Sequence, residues 1–149
     1  MVEAQTVDLL SQATQDVLET MFFTEVLDEA EFPRDCTEPF VAVRARFRGE
    51  PSGSVGLCLS AAAARTVAAN FLGEEETELT EGQVQDVIAE LVNMVCGSVV
   101  SRLESHAGFD IEHPAPVSAE SVIEEGAAKH CYELDNGILA VTLSLQTNA

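Results

Sequence analysis

An α+β domain, with long helices packed on a largely antiparallel sheet, is predicted by three features of this sequence. Two long segments, residues 7–29 and 81–106, repeat apolar residues at helical spacing. Two pairs of shorter segments alternate apolar and polar residues across tight turns, which marks hairpins. The order of the pieces, a long helix and then a hairpin, occurs twice with one shorter helix between. A pseudo-twofold helix-hairpin repeat is therefore expected from element order, and only weakly from residue identity. The 149 residues suit one hydrophobic core, and residues 1–149 are expected to form a single domain.

In the first segment Leu10, Ala13, Val17, Met21 and Leu27 keep near-helical spacing while Gln12, Asp16 and Glu19 fill the other side, the pattern of an amphipathic helix. Residues 32–39 then make a proline-bearing loop. Over residues 40–48, Val41, Val43, Ala45 and Phe47 alternate with Ala42, Arg44, Arg46 and Arg48, which predicts a strand whose arginine face is wet. Pro51, Ser52 and Gly53 turn the chain, and Val55, Leu57 and Leu59 alternate with Ser54, Gly56 and Cys58 on the way back. Ser60 stands where an N-cap is needed for a helix over residues 61–72, and Gly73 where that helix should stop.

Residues 74–81 form an acidic connector, expected to be exposed. Thr80 and Gln83 fit a capping box and start the second long helix at Glu81, with Gly108 as its expected stop beyond His106. A short strand is expected over residues 109–112, ahead of His113, Pro114 and Pro116. Near the C-terminus Ala128, His130, Tyr132 and Leu134 alternate up to Asp135, Asn136 and Gly137, and Leu139, Val141, Leu143 and Leu145 alternate after them. Asn-Gly between such runs is a strong hairpin signal.

Charge and composition exclude several function classes. Asp and Glu number 26 against 7 Lys and Arg, a formal net charge of -19. Phosphate backbones and anionic membranes are held by Lys and Arg, so neither nucleic acid nor membrane is an expected partner. The acid excess is expected to serve solubility or tolerance of salt. Cys36, Cys58, Cys96 and Cys131 lie far apart with no CxxC or Cys/His ligand spacing, which predicts small core residues of a reduced protein and no metal site. The first residues, MVEAQTVDLL, carry neither a basic start nor an apolar leader, and no unbroken apolar stretch approaches the ~18 residues of a membrane span. The cytoplasm is the expected compartment. His106, His113 and His130 read as a helix-end, a loop and a strand residue. No glycine-rich phosphate loop and no Ser, His and Asp in a nucleophile motif occur, which argues against a covalent or cofactor enzyme.

Chemistry is expected on the second long helix. At about 100° per residue, Val84, Ile88, Leu91, Val95 and Val99 share one side, and Val87, Val92, Met94, Cys96 and Leu103 fill the flanks. Asp86, Glu90, Asn93 and Gly97 share the narrow remaining face. A helix so apolar elsewhere should be largely buried, which leaves its acid and amide exposed for a purpose. The stripe, set in VQDVIAELVNMVCGSVVSRL, resembles the active-site helix of the CheC/CheX/FliY chemotaxis phosphatases, and SVGLCLSAAAARTVAANFLG resembles the strand and helix ahead of that site. Placing Met21 against Met94 puts Val17 and Thr20 where Glu90 and Asn93 stand. The first helix thus offers no second Glu/Asn pair, and the resemblance is to the single-site, CheX-like branch.

That resemblance implies a phosphatase acting on the aspartyl phosphate of a response-regulator receiver such as CheY. It assigns Asn93 to aligning a water for attack on phosphorus. A side-chain amide has no accessible ionisation at neutral pH but both donates and accepts, so its contribution is positioning. Glu90 would pair with the receiver's active-site lysine, and positions three apart on a helix project together. Asp86 either orients Glu90 or is a first-turn acid favoured by the helix dipole; Gly97 either admits the partner's backbone or packs within its own domain. The resemblance further implies no cofactor of the chain's own, Mg2+ in the partner receiver, and a homodimer. A receiver's phosphorylation pocket is itself acidic, so complementarity with a chain of charge -19 has to be local. Two other classes remain open: a non-catalytic adaptor for a receiver or flagellar switch component, and a structural subunit whose stripe meets another protein.

Overall fold

The alternating segments pair as expected. The computed structural model of the chain describes residues 3–34, 38–103, 108–124 and 128–146. In chain order these form α1 (Glu3–Met21), β1 (Asp28–Glu29), β2 (Phe40–Arg48), β3 (Ser52–Ser60), α2 (Ala61–Leu72), a 3-10 turn (Glu76–Glu78) and α3 (Glu81–Arg102). There follow β4 (Asp110–Ile111), β5 (Ala115–Pro116), α4 (Ala119–Glu124), β6 (Ala128–Leu134) and β7 (Gly137–Gln146). One seven-stranded antiparallel sheet runs in the order β1-β6-β7-β3-β2-β4, with β5 also on β2. The predicted hairpins are β2–β3 and β6–β7. They join where β3 pairs with β7, Val55 opposite Leu143, Leu57 opposite Val141 and Leu59 opposite Leu139. Helices packed on such a sheet are the α+β class the sequence predicts.

Period-two alternation decides the layers. Val43, Ala45, Phe47, Leu57, Leu59, Leu139 and Val141 are buried in one core with the apolar sides of α1, α2 and α3. On the opposite face Ala42, Cys58, Cys131 and Ala140 pack in a smaller cluster with Val122 of α4. That second cover corrects the wet arginine face expected for β2. Arg44 is only 8% exposed, and its guanidinium donates to the Ser121 carbonyl of α4 at 3.2 Å. Arg46 and Arg48 stay exposed, edging a polar depression of about 190 Å3 with Ser54 and Ser144.

Helix ends account for the other corrections. α1 stops at Met21 instead of continuing to residue 29: Phe23 takes a positive φ of 51°, and Thr24 N–H donates to the Leu18 carbonyl at 2.9 Å. The chain then extends into β1, with Leu27 exposed. α2 occupies the predicted span and stops at Gly73, whose φ of 67° is the left-handed conformation such a stop requires. Ser60, however, makes no side-chain cap. Its hydroxyl accepts from Ile138 N–H at 3.0 Å, pinning the end of β3 to the start of β7. A β-carbon on Gly137 would lie 2.6 Å from Ser60 Cβ, so this close approach needs glycine.

α3 begins on the predicted capping box. Thr80 Oγ1 accepts from Gln83 N–H at 3.1 Å while Gln83 Oε1 accepts from Thr80 N–H at 2.8 Å. Its end falls earlier than expected, at Arg102, because buried Leu103 turns extended (φ -83°, ψ 133°). Gly108 therefore lies beyond the helix stop, and His106 and Cys36 are outside the described residues. Cys58, Cys96 and Cys131 are buried, as predicted.

Candidate functional site

α3 is a core helix with one side left open. Val84, Val87, Ile88, Leu91, Val92, Val95, Cys96 and Val99 are buried in it, the arrangement its apolar spacing predicts. By length and composition alone α3 is also long and apolar enough to cross a membrane. Its apolar residues instead pack against α1, α2, β2 and β3. Burying a side chain such as Ile88 or Leu91 is worth about 2 kcal/mol, so the helix is fixed by several such contacts rather than by its own propensity. A salt bridge between Arg102 and Asp16 also ties it to α1.

Asp86 and Glu90 are exposed on the opposite side, and Asn93 and Gly97 are half-buried. The structure thus brings all four predicted residues onto one face. None of the three polar side chains makes a hydrogen bond or ion pair with a described residue, so each keeps its bonding capacity for something outside the chain. The opposite faces of the helix hold their backbone in place. What they present is an acceptor-only carboxylate beside an amide that both donates and accepts.

Asp86, Ala89, Glu90 and Asn93 form one wall of a cleft of about 340 Å3; Ile111, Glu112, His113 and Pro114 form the other. The second wall is invisible to periodicity, since β4 has only two residues. The nearest signal is the short strand expected at 109–112 ahead of His113 and Pro114. It is anchored on β2, where Ile111 pairs with Phe47, Glu112 N–H donates to the Arg46 carbonyl at 2.8 Å, and the Glu112 carboxylate lies 3.7 Å from Arg48. His113, read from sequence as a loop residue, stands in this cleft, whereas His130 lies in β6 beside Glu29.

Two open assignments narrow. Asp86 lies past the first turn of α3, whose first-turn acid is Glu81, so the dipole gives little reason for it. It also stands four residues from Glu90, a like-charge spacing that costs a few tenths of a kcal/mol. Among the described residues, a β-carbon on Gly97 would meet only Ile111 Cδ1, at 3.9 Å, an ordinary contact. Packing within the chain therefore does not require glycine there. Gly97→Ala is expected to stabilise the fold by up to about 1 kcal/mol through helix propensity, read by chemical denaturation. A simultaneous loss of partner binding would identify Gly97 as a point of close approach.

The exposed side of α1 carries no second Glu/Asn pair at the matching positions. Val17 is buried in the core and Thr20 returns its hydroxyl to the Asp16 carbonyl, so α1 has a packing role. Cys96, next to Gly97, points inward, and burial pushes its thiol up to about 12, leaving it a neutral thiol at ordinary pH. Among the described residues, no group of three or more His, Cys, Asp or Glu side chains is gathered as a metal ion would need.

A helix fixed by its buried side thus holds an acid and an amide three residues apart at the mouth of a cleft. The family profile described as "Chemotaxis phosphatase CheX" matches residues 41–135, and the chain belongs to this family. No curated protein matches it significantly in sequence. Among solved structures, the chemotaxis protein CheX from Vibrio vulnificus is 23% identical with a TM-score of 0.75, covering 98% of this chain and 99% of that one. The CheX of a CheX-CheY-BeF3-Mg2+ complex from Borrelia burgdorferi is 20% identical with a TM-score of 0.72, covering 95% and 97%. A CheC-like superfamily protein from Shewanella sp. PV-4 is 18% identical with a TM-score of 0.73, covering 97% and 99%. At these identities the likeness is one of fold.

Proposed function

We propose that this protein hydrolyses the aspartyl phosphate of a CheY-like response-regulator receiver by inserting Glu90 and Asn93 into the receiver's reactive pocket. The observation that carries the proposal is the pairing of these two unengaged side chains, three residues apart, on the open side of an otherwise buried helix. Family membership and the fold shared with a CheX crystallised with CheY support it. Asn93 accepts from and donates to one water, holding it in line with the phosphorus-oxygen bond to be broken; displacement yields inorganic phosphate and restores the aspartate. The amide acts by orientation, since it carries no titratable proton at neutral pH. Glu90 fixes the register by pairing with a lysine of the receiver. Mg2+ belongs to the receiver, where it neutralises charge on the transferring group. In this proposal the protein works in the cytoplasm and as a homodimer.

The test is direct. Receivers encoded in the same genome are phosphorylated with acetyl phosphate, the donor is removed, and phosphate release is followed with and without the protein. At least one receiver should lose phosphate faster in its presence. Binding with unaltered decay for every receiver would instead make the protein an adaptor.

A further inference from the structure

Whatever places a reactive group at Asn93 has to pass the wall opposite. The cleft is open on the solvent side and closed by the strand-and-turn segment 111–114, so a partner seated on Glu90 and Asn93 is brought against that segment as well. Two of its side chains are suited to meet a partner. Ile111 is 37% exposed, one of five large hydrophobic side chains exposed among the described residues, and it sits over Gly97 rather than in the core. Leaving an isoleucine wet forgoes stabilisation that covering it on docking would recover. His113 is exposed and makes no hydrogen bond or ion pair with a described residue.

Chemistry separates the two walls. On the α3 side Asp86 and Glu90 are carboxylates, which only accept hydrogen bonds, and Asn93 is the sole donor. On the other side Glu112 is a further carboxylate, 3.7 Å from Arg48, and among the described residues lining the cleft the His113 imidazole is the one further side-chain donor. A receiver surface rich in carboxylates finds no complement in Asp86 or Glu90, apart from its lysine, but finds one in His113. The segment is also tied to β2 on both sides of His113, since Glu112 N–H donates to the Arg46 carbonyl and Ala115 pairs with Arg44. Selectivity comes from contacts that one partner makes and another cannot.

We infer that Ile111 and His113 form a receiver-selecting lip, an apolar contact beside a hydrogen-bond donor, which grips the receiver next to its phosphorylated aspartate. The inference rests on the phosphatase proposal and assigns the lip to binding and choice of partner, leaving the aligned water to Asn93. They are binding contacts, so their loss should act on KM and not on kcat.

The experiment compares steady-state hydrolysis of the cognate phosphorylated receiver by wild type, Ile111→Ser with His113→Ala, Ile111→Val, and Asn93→Ala. The lip double variant should raise KM roughly tenfold with kcat within about twofold, as expected when contacts common to ground and transition states are removed. Ile111→Val should stay near wild type, and thermal melts should show all variants folded, because both lip side chains are exposed. The double variant should also narrow the gap in kcat/KM between cognate and non-cognate receivers. An unchanged KM beside an inactive Asn93→Ala overturns the lip and leaves the phosphatase proposal standing. Undiminished hydrolysis by Asn93→Ala overturns both.

Discussion

Asn93→Ala should lower the turnover of a phosphorylated receiver by roughly 100-fold while leaving its affinity for the receiver within a few-fold of wild type. The magnitude is that of losing a positioning group: a water no longer held in line must find the reactive geometry from bulk, and even small misplacements cost about this much. Affinity should survive because the surrounding cleft is built by other residues, with Ala89, Glu90, Ile111 and Pro114 untouched. The fold should survive too, since Asn93 bonds to no described residue and alanine is the better helix former. Single-turnover decay at saturating protein gives the chemical step. Binding to the beryllofluoride-activated receiver gives the affinity. Asn93→Asp is the sharper control, because it keeps the shape but replaces a donor with a repelling charge.

Glu90→Ala should reduce binding and turnover together, with binding weakened by about thirtyfold or more, the scale expected when one partner of a hydrogen-bonded charge pair at an interface is removed. Glu90 is exposed and unpaired within the described chain, so the loss is not one of stability, and a melt at the wild-type temperature is the accompanying expectation. Glu90→Lys should act more strongly, by setting like charges together. Changing the receiver's active-site lysine to glutamate should then recover part of the binding, and a double-mutant cycle measures that coupling directly. An effect confined to affinity, with turnover intact, would reduce Glu90 to a docking contact.

How far the sequence foretells this molecule depends on the length of each pattern. α3 is legible because its apolar positions recur over many turns and a reciprocal cap marks its start, and β2, β3, β6 and β7 because alternation persists through most of each strand. β1 and β5 have two residues each and α4 has six, less than the patterns need to repeat, whereas β4 falls within the short strand expected at 109–112. α1 is overextended because Leu27 falls at an acceptable helical position, although the chain has already left the helix at Phe23. Arg44 is misread because α4, which buries it, comes from residues remote in sequence. The site divides in the same way. Glu90 and Asn93 stand out as polar positions on an apolar helix, whereas Ile111 and His113 join them only through the pairing of β4 with β2.

α3 separates two kinds of selection. Its inward residues answer to the sheet and to the neighbouring helices, and tolerate little. Under the phosphatase proposal, its outward residues answer only to the visitor. A lineage could therefore exchange one signalling circuit for another by altering a handful of solvent-facing letters, without renegotiating the interior. The same separation makes the helix a convenient graft for directing such activity toward a chosen regulator.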